Sequence, residues 1–380
     1  MNRIDYLDKY RFFTVTFALI SHAILALNLE EVIGQEGISS ISFITRSATP
    51  SLIILFGIMA EFIYYNRYKS KGNAIFSKLI YRSFLCYLVF VLLSIVTFLV
   101  GKKSISGLMG SALLLKSTSY SNIFVMYFFW LLLCIPILKL RHKLGFWGLL
   151  GLVGAIWTID YFIIAKTVEL SSPFNFIGGV LLGIGRDWGP SIFHGITLIV
   201  CGMLFADFLL NKVSTPSTKT IIAIIMIGSI VATSITIFNI GFVEYVENIV
   251  DPRAYRFKNN ILYYLYGLNI TCLIIIFSYL SNLLIKGKLS NNINFLGSST
   301  FSYFVIGNMI LIIFPTIQIA SVWEALMFVF VFLIATSFLT FVWEKKLQHL
   351  NMVQSINMMT KNSSQTVWNT VNKIKRRKLS

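Results

Sequence analysis

An all-α, polytopic membrane helix bundle is the fold class this sequence predicts, with about ten spans and both termini on the cytoplasmic side. Three observations carry that prediction. Hydrophobic residues fill 56% of the 380 positions and charged ones only 12%, too apolar a balance for one soluble domain. Separate apolar runs of about 18 residues or more recur along the chain, each long enough to cross a bilayer. Most of the 32 Lys and Arg residues fall at the ends of alternate runs, as the positive-inside rule requires when the N-terminus is cytoplasmic.

The spans are expected at 10–28, 48–66, 80–100, 121–138, 145–165, 190–211, 219–240, 259–285, 299–318 and 322–342. The first is followed by Asn28, Glu30 and Glu31 rather than a small-residue cleavage site, so it is expected to stay as a helix. The second carries an acidic group, Glu61, and ends at a basic turn containing Arg67, with Arg82 early in the third. Glu61 is either the ion-pair partner of a cation such as Arg82 or a substrate-site residue. Between spans three and four, GLMGSALLL is too short to cross and reads as a re-entrant or surface helix. The fourth span has an aromatic patch at Tyr127, Phe128, Phe129 and Trp130, best explained as ordinary packing, and a solvated loop histidine, His142, follows it.

The segment from Lys166 to Ser191 is glycine-rich and closes with Arg186, Asp187 and Trp188. A guanidinium, a carboxylate and a stacking ring suit a sugar-binding mouth, and an interfacial Trp anchor beside a local ion pair explains the same three residues. His194 follows in the sixth span, either structural or part of an acceptor site, and Asp160 and Asp207 lie near the ends of their helices. Residues 1–343 form the membrane domain. Residues 344–380 read as a basic, flexible cytoplasmic tail ending in KIKRRK.

The net charge of +17 is accounted for by these span ends and the tail, which face anionic membrane lipids, so no nucleic-acid partner is expected. Cys86, Cys134, Cys201 and Cys272 lie in apolar runs without ligand spacing, and no metal is expected. There is no phosphate-cradling Gly-Lys-Ser/Thr motif, no HExxH and no Gly-x-Ser-x-Gly elbow.

The sharpest feature is Leu7 to Leu25, LDKYRFFTVTFALISHAIL. At 100° per residue, Arg11 and His22 project from one helix face about 16 Å apart, and Asp8 falls about 40° beyond His22. Intramembrane ionisable groups default to function, although a histidine hydrogen-bonded inside a bundle would look the same.

Leu7, Asp8, Arg11 and His22, at this spacing, resemble the first-helix signature of the membrane acyltransferase family 3. The layout of the fourth span resembles the branch that succinylates periplasmic glucans, the OpgC-like one. Departures are Phe12 where a glycine is common, Phe56-Gly57 in place of Ser-Gly, and Thr300 in the Leu296-Gly297 helix where a serine is usual. Asn308 stands where some relatives carry a second histidine.

The resemblance implies an O-acyltransferase of a bacterial inner membrane. It would move a short acyl group from cytoplasmic acyl-CoA, acetyl-CoA or succinyl-CoA, to a hydroxyl of an extracytoplasmic glycan. His22 would be the general base, with an acyl-histidine route also open, and Asp8 would orient Arg11. Arg11, with Arg67 or Arg82, would bind the CoA phosphates, and Glu61, Arg186, Asp187, Trp188 and His194 would lie toward the acceptor. A homodimer is compatible with the sequence. The competing classes are a transporter or flippase with a pathway through His22, Glu61 and Asp160, and a scaffold in which His22 is dispensable.

Overall fold

The computed structural model describes residues 4–164, 174–183, 189–210, 216–314 and 319–347. Every regular element among them is helical: α1 (Asp5–Ala26), α2 (Glu30–Ile33), α3 (Gln35–Thr45), α4 (Ala48–Met59), α5 (Asn66–Lys71), α6 (Ala74–Leu99), α7 (Ile105–Ala112) and α8 (Asn122–Ile159) come first. They are followed by α9 (Asn175–Leu182), α10 (Ile192–Leu210), α11 (Pro216–Ile240), α12 (Phe242–Val250), α13 (Ile261–Leu284), α14 (Gly287–Ser298), α15 (Thr300–Ile313) and α16 (Val322–Lys345). A π-helical turn, Ala60–Tyr65, joins α4 to α5, so residues 35–71 run as one long helical segment. α7 is the short helix expected between the third and fourth spans.

Among the described residues, 7 helical runs are long and apolar enough to cross a membrane, and 8 if α14 and α15, bent by 82° from one another, count as one broken span. Outward-facing side chains on these runs are apolar, Leu92, Ile224, Phe238 and Phe330 among them, which is the surface acyl chains would cover.

The difference from about ten expected spans has three sources. First, α1 carries Lys9, Arg11 and His22 and is not apolar enough by itself. It packs against α3, α4, α13, α14, α15 and α16. Second, the expected span 299–318 falls on α15, which is only 14 residues long. Third, spans 121–138 and 145–165 join into α8 across Gly145, whose φ of 65° and ψ of −156° lie outside helical space. That residue reverses the chain. The indoles of Trp130 and Trp157 donate to Ile192 O at 3.1 Å and Thr197 Oγ1 at 2.9 Å. In a straight helix the two tryptophans would stand about 40 Å apart, whereas Ile192 and Thr197 are about 8 Å apart along α10. The two arms of α8 therefore run back alongside each other, and only glycine accepts that backbone angle without strain.

The tightest helix contact is between α4 and α10. A methyl group at Gly57 would overlap the carbonyl oxygen of Ile199, and one at Gly202 would overlap that of Ile54, so the two backbones touch where both side chains are missing. Gly297 on α14 lies in the same way against the carbonyl of Asp8, which fixes the mouth of α1.

Candidate functional site along α1

The two ends of α1 open onto two cavities. At the Arg11 end a cavity of about 550 Å³ lies between α1, α4, α6, α8 and α15, with Arg11, Arg82, Tyr64, Tyr127, Phe304 and Glu344 in its wall. Arg11 Nη1 donates to Asp8 Oδ1 at 2.9 Å, the i,i+3 contact that helical spacing allows, and its Nη2 points at Met59 Sδ. Arg82, on α6, donates to the Tyr64 hydroxyl. Arg67 is exposed on α5 and does not line this cavity.

His22 stands further along the same face of α1. Its Nδ1 lies 2.7 Å from Asn308 Oδ1, and its ring packs 5.1 Å from Tyr120 and 5.7 Å from Phe304. Phe304 also walls the Arg11 cavity, so one ring separates that space from the imidazole. With Asn308 Oδ1 as acceptor the proton resides on Nδ1, and the lone pair of Nε2 is left for chemistry. Asn308 is fully buried, which holds the pair in place.

At the other end, a cavity of about 470 Å³ begins at Ser21, the residue before His22. Ser39, Ser42 and Arg46 form its depth, and the exposed carboxylates of Glu30, Glu247 and Asp251 form its rim.

Glu61 is engaged elsewhere, and the sequence expectation of Arg82 as its cation is corrected. Arg141 grips the carboxylate side-on, Nη2 to Oε1 at 3.0 Å and Nε to Oε2 at 3.2 Å. Its guanidinium lies 3.6 Å from the Phe146 ring centre and 4.9 Å from that of Tyr65. The reversal at Gly145 explains this, because it returns Phe146 over Arg141 at the end of the arm.

His194 is buried at the start of α10. Its Nδ1 bonds Ser191 Oγ at 2.7 Å, Asp160 Oδ2 stands 3.4 Å from Nε2, and Trp157 packs edge-on at 4.9 Å. Asp160 is thus the companion of His194. The pathway through His22, Glu61 and Asp160 that a transporter would need is divided among three separate partnerships. His142 is exposed, near Tyr65 and Tyr68. Arg186, Asp187 and Trp188 lie outside the described residues, as does most of the tail.

Sequence reasoning missed Asn308 as the partner of His22, Arg141 as the partner of Glu61, and the cavity beneath Arg46. No local pattern marks a contact across 286 residues of chain. No family model matches this chain, and no curated protein or solved structure matches it either.

Proposed function

We propose that the protein is a multi-pass membrane O-acyltransferase that carries a short acyl group from cytoplasmic acyl-CoA to a glycan hydroxyl on the far side of the membrane. The observation that carries this reading is one helix, α1, that sets Arg11 in the wall of a cavity holding a second guanidinium, Arg82, and carries the imidazole of His22, braced by Asn308, next to Ser21 in the wall of a polar cavity. The resemblance of Leu7, Asp8, Arg11 and His22 to the membrane acyltransferase family 3 signature supports it.

Arg11 and Arg82 would hold the phosphates of CoA at the cytoplasmic mouth, by charge-assisted and forked hydrogen bonds. The pantetheine arm would reach along the first cavity toward Phe304. His22 Nε2 takes the proton of the acceptor hydroxyl as the oxygen attacks the thioester carbonyl. The C–O bond forms, the C–S bond breaks, and the imidazolium returns its proton to the departing CoA sulfur. Membrane burial of the imidazole lets donor and acceptor meet without moving CoA across. The division of His22, Glu61 and Asp160 among separate partners favours this over a solute pathway.

The test is transfer of labelled acyl groups, from acetyl-CoA and from succinyl-CoA, to glucan oligosaccharide by the full chain in lipid nanodiscs. His22→Ala should lower the rate by about 10²–10⁴, and Arg11→Ala should raise the KM for the donor. Unchanged transfer in both variants would rule out the roles given to His22 and Arg11, and no transfer by the parent chain would rule out the function. Mass spectrometry of cell glycans with and without the gene gives the added acetyl or succinyl mass.

A further inference from the structure

The cavity at the His22 end of α1 has an unusual charge layout. Arg46, at the junction of α3 and α4, lines its depth, and the guanidinium Nε is buried without an acceptor. No carboxylate among the described residues lies within ion-pair distance of that guanidinium, although three line the rim of the same cavity. Asp251, one of the three, is turned to its own chain and accepts from the backbone N–H of Arg253 at 2.9 Å. The rim groups face water, where salt screens them over about 8 Å. Beside Arg46, Ser39 and Ser42 are 9% and 6% exposed, line the cavity, and have hydroxyls that donate to no described group. Burying a cation without a partner is costly, and a ligand that brings oxygen acceptors removes the cost. A cavity of about 470 Å³ is within the range that holds one or two sugar rings.

We infer that this cavity binds an acidic glycan, with Arg46 clasping a carboxylate or phosphate on the sugar and Ser39 and Ser42 bonding its neighbouring oxygens. The inference deepens the acyl-transfer reading by giving the chemical class of the acceptor, and it takes from that reading only the identity of the ligand as acceptor. A guanidinium suits the task because its planar fork matches both anions with two parallel hydrogen bonds, whereas an ammonium offers a single point charge.

The experiment measures binding without any acyl donor, so that it fails or succeeds independently of catalysis. The full chain is placed in nanodiscs of zwitterionic lipid, which keeps anionic headgroups out of the competition. Three disaccharides are titrated calorimetrically: one ending in glucuronate, one ending in glucose 6-phosphate, and their uncharged parent. At least one charged probe should bind about tenfold tighter than the parent, with affinity falling as salt rises. Arg46→Gln should abolish the preference and Arg46→Lys should keep part of it. Ser42→Ala, a change too small to disturb folding, should weaken the charged probe severalfold. Preference for the glucuronate probe alone identifies a carboxylate, and for the phosphate probe alone a phosphate. Equal affinity for charged and uncharged probes, preference retained in Arg46→Gln, or no binding of any probe overturns the proposal. If the charged probe binds as expected while the parent chain transfers no acyl group from either donor, the anion site stands and the acyltransferase reading falls.

Discussion

Glu61 gives the most discriminating measurement, because a substrate-site residue and a structural brace respond differently to the same replacements. Its side chain is 4% exposed and that of Arg141 is 14% exposed, so the pair is shielded from water. Two parallel contacts at 3.0 and 3.2 Å give about 4–5 kcal/mol of attraction at an effective dielectric of about 20, most of it offset by the cost of desolvation. Removing one partner leaves the other charge buried and alone, at a cost of about 3–5 kcal/mol. Removing both releases that penalty. Glu61→Gln and Arg141→Met should therefore each lower stability by about 3 kcal/mol. The double variant should lose at least about 2 kcal/mol less than the two single losses combined. Equilibrium unfolding in mixed micelles gives the cycle, and acyl transfer is measured where every variant is folded. The double variant should transfer within about threefold of the parent chain, a difference of less than about 1 kcal/mol. Coupling below about 0.5 kcal/mol, with transfer by Glu61→Gln more than tenfold reduced at full folded fraction, would refute the brace and return Glu61 to the substrate site.

Asn308→Ala should reduce kcat about five- to tenfold with little change in donor KM, the value of one neutral hydrogen bond that orients the base; an unchanged kcat would show that His22 needs no orientation. Arg11→Ala and Arg82→Ala should each raise the KM for acyl-CoA about tenfold or more, since each removes charge-assisted contacts to phosphate. Arg67→Ala should leave it within about twofold, because Arg67 is outside the cavity; an Arg67 effect as large as that of Arg82 would move the phosphate site. Gly57→Ala and Gly202→Ala should each destabilise the fold by about 1–3 kcal/mol by forcing α4 and α10 apart. Gly228→Ala, where a methyl group meets open space, should not, and thermal unfolding of the three variants checks the contrast.

Local periodicity made α1 readable. The interval between Asp8 and Arg11 is a helical neighbour distance, and the structure has the two side chains in contact at 2.9 Å. The same periodicity placed Arg11 and His22 on one face. Gly57 drew attention only as part of the Phe56-Gly57 pair set against the resembled family, and its partner Gly202 did not, since nothing in either segment names the other. Arg141 escaped notice for a similar reason. It stands four residues before the reversal at Gly145, among Lys139, His142 and Lys143, where basic residues are expected for topology alone. Asn308 was visible only as the loss of a second histidine, and its use as the acceptor for His22 depends on how α15 lies against α1. Composition alone does not fix the span count: it weighs each helix alone, while a bundle can bury one whose polar groups find partners on its neighbours.

α1 is that helix, and the distribution of its polar groups bears on function. Lys9 donates to Ser281 O at 3.1 Å and Ile285 O at 3.4 Å, carbonyls at the C-terminal end of α13, where a cation is favoured by both hydrogen bonding and the helix dipole. Thr14 returns its hydroxyl to Tyr10 O within the helix. Asp8 is used by Arg11 and the Nδ1 of His22 by Asn308. Among the groups of α1, the guanidinium of Arg11 lines one cavity, and the imidazole of His22 stands next to Ser21, which lines the other. A helix kept at the centre for packing alone would have no reason to retain either. Replacing Lys9 or Thr14 should therefore cost stability and leave the rate per folded molecule unchanged, whereas replacing Arg11 or His22 should do the reverse. A Lys9→Met protein that folds like its parent yet fails to transfer would break that division.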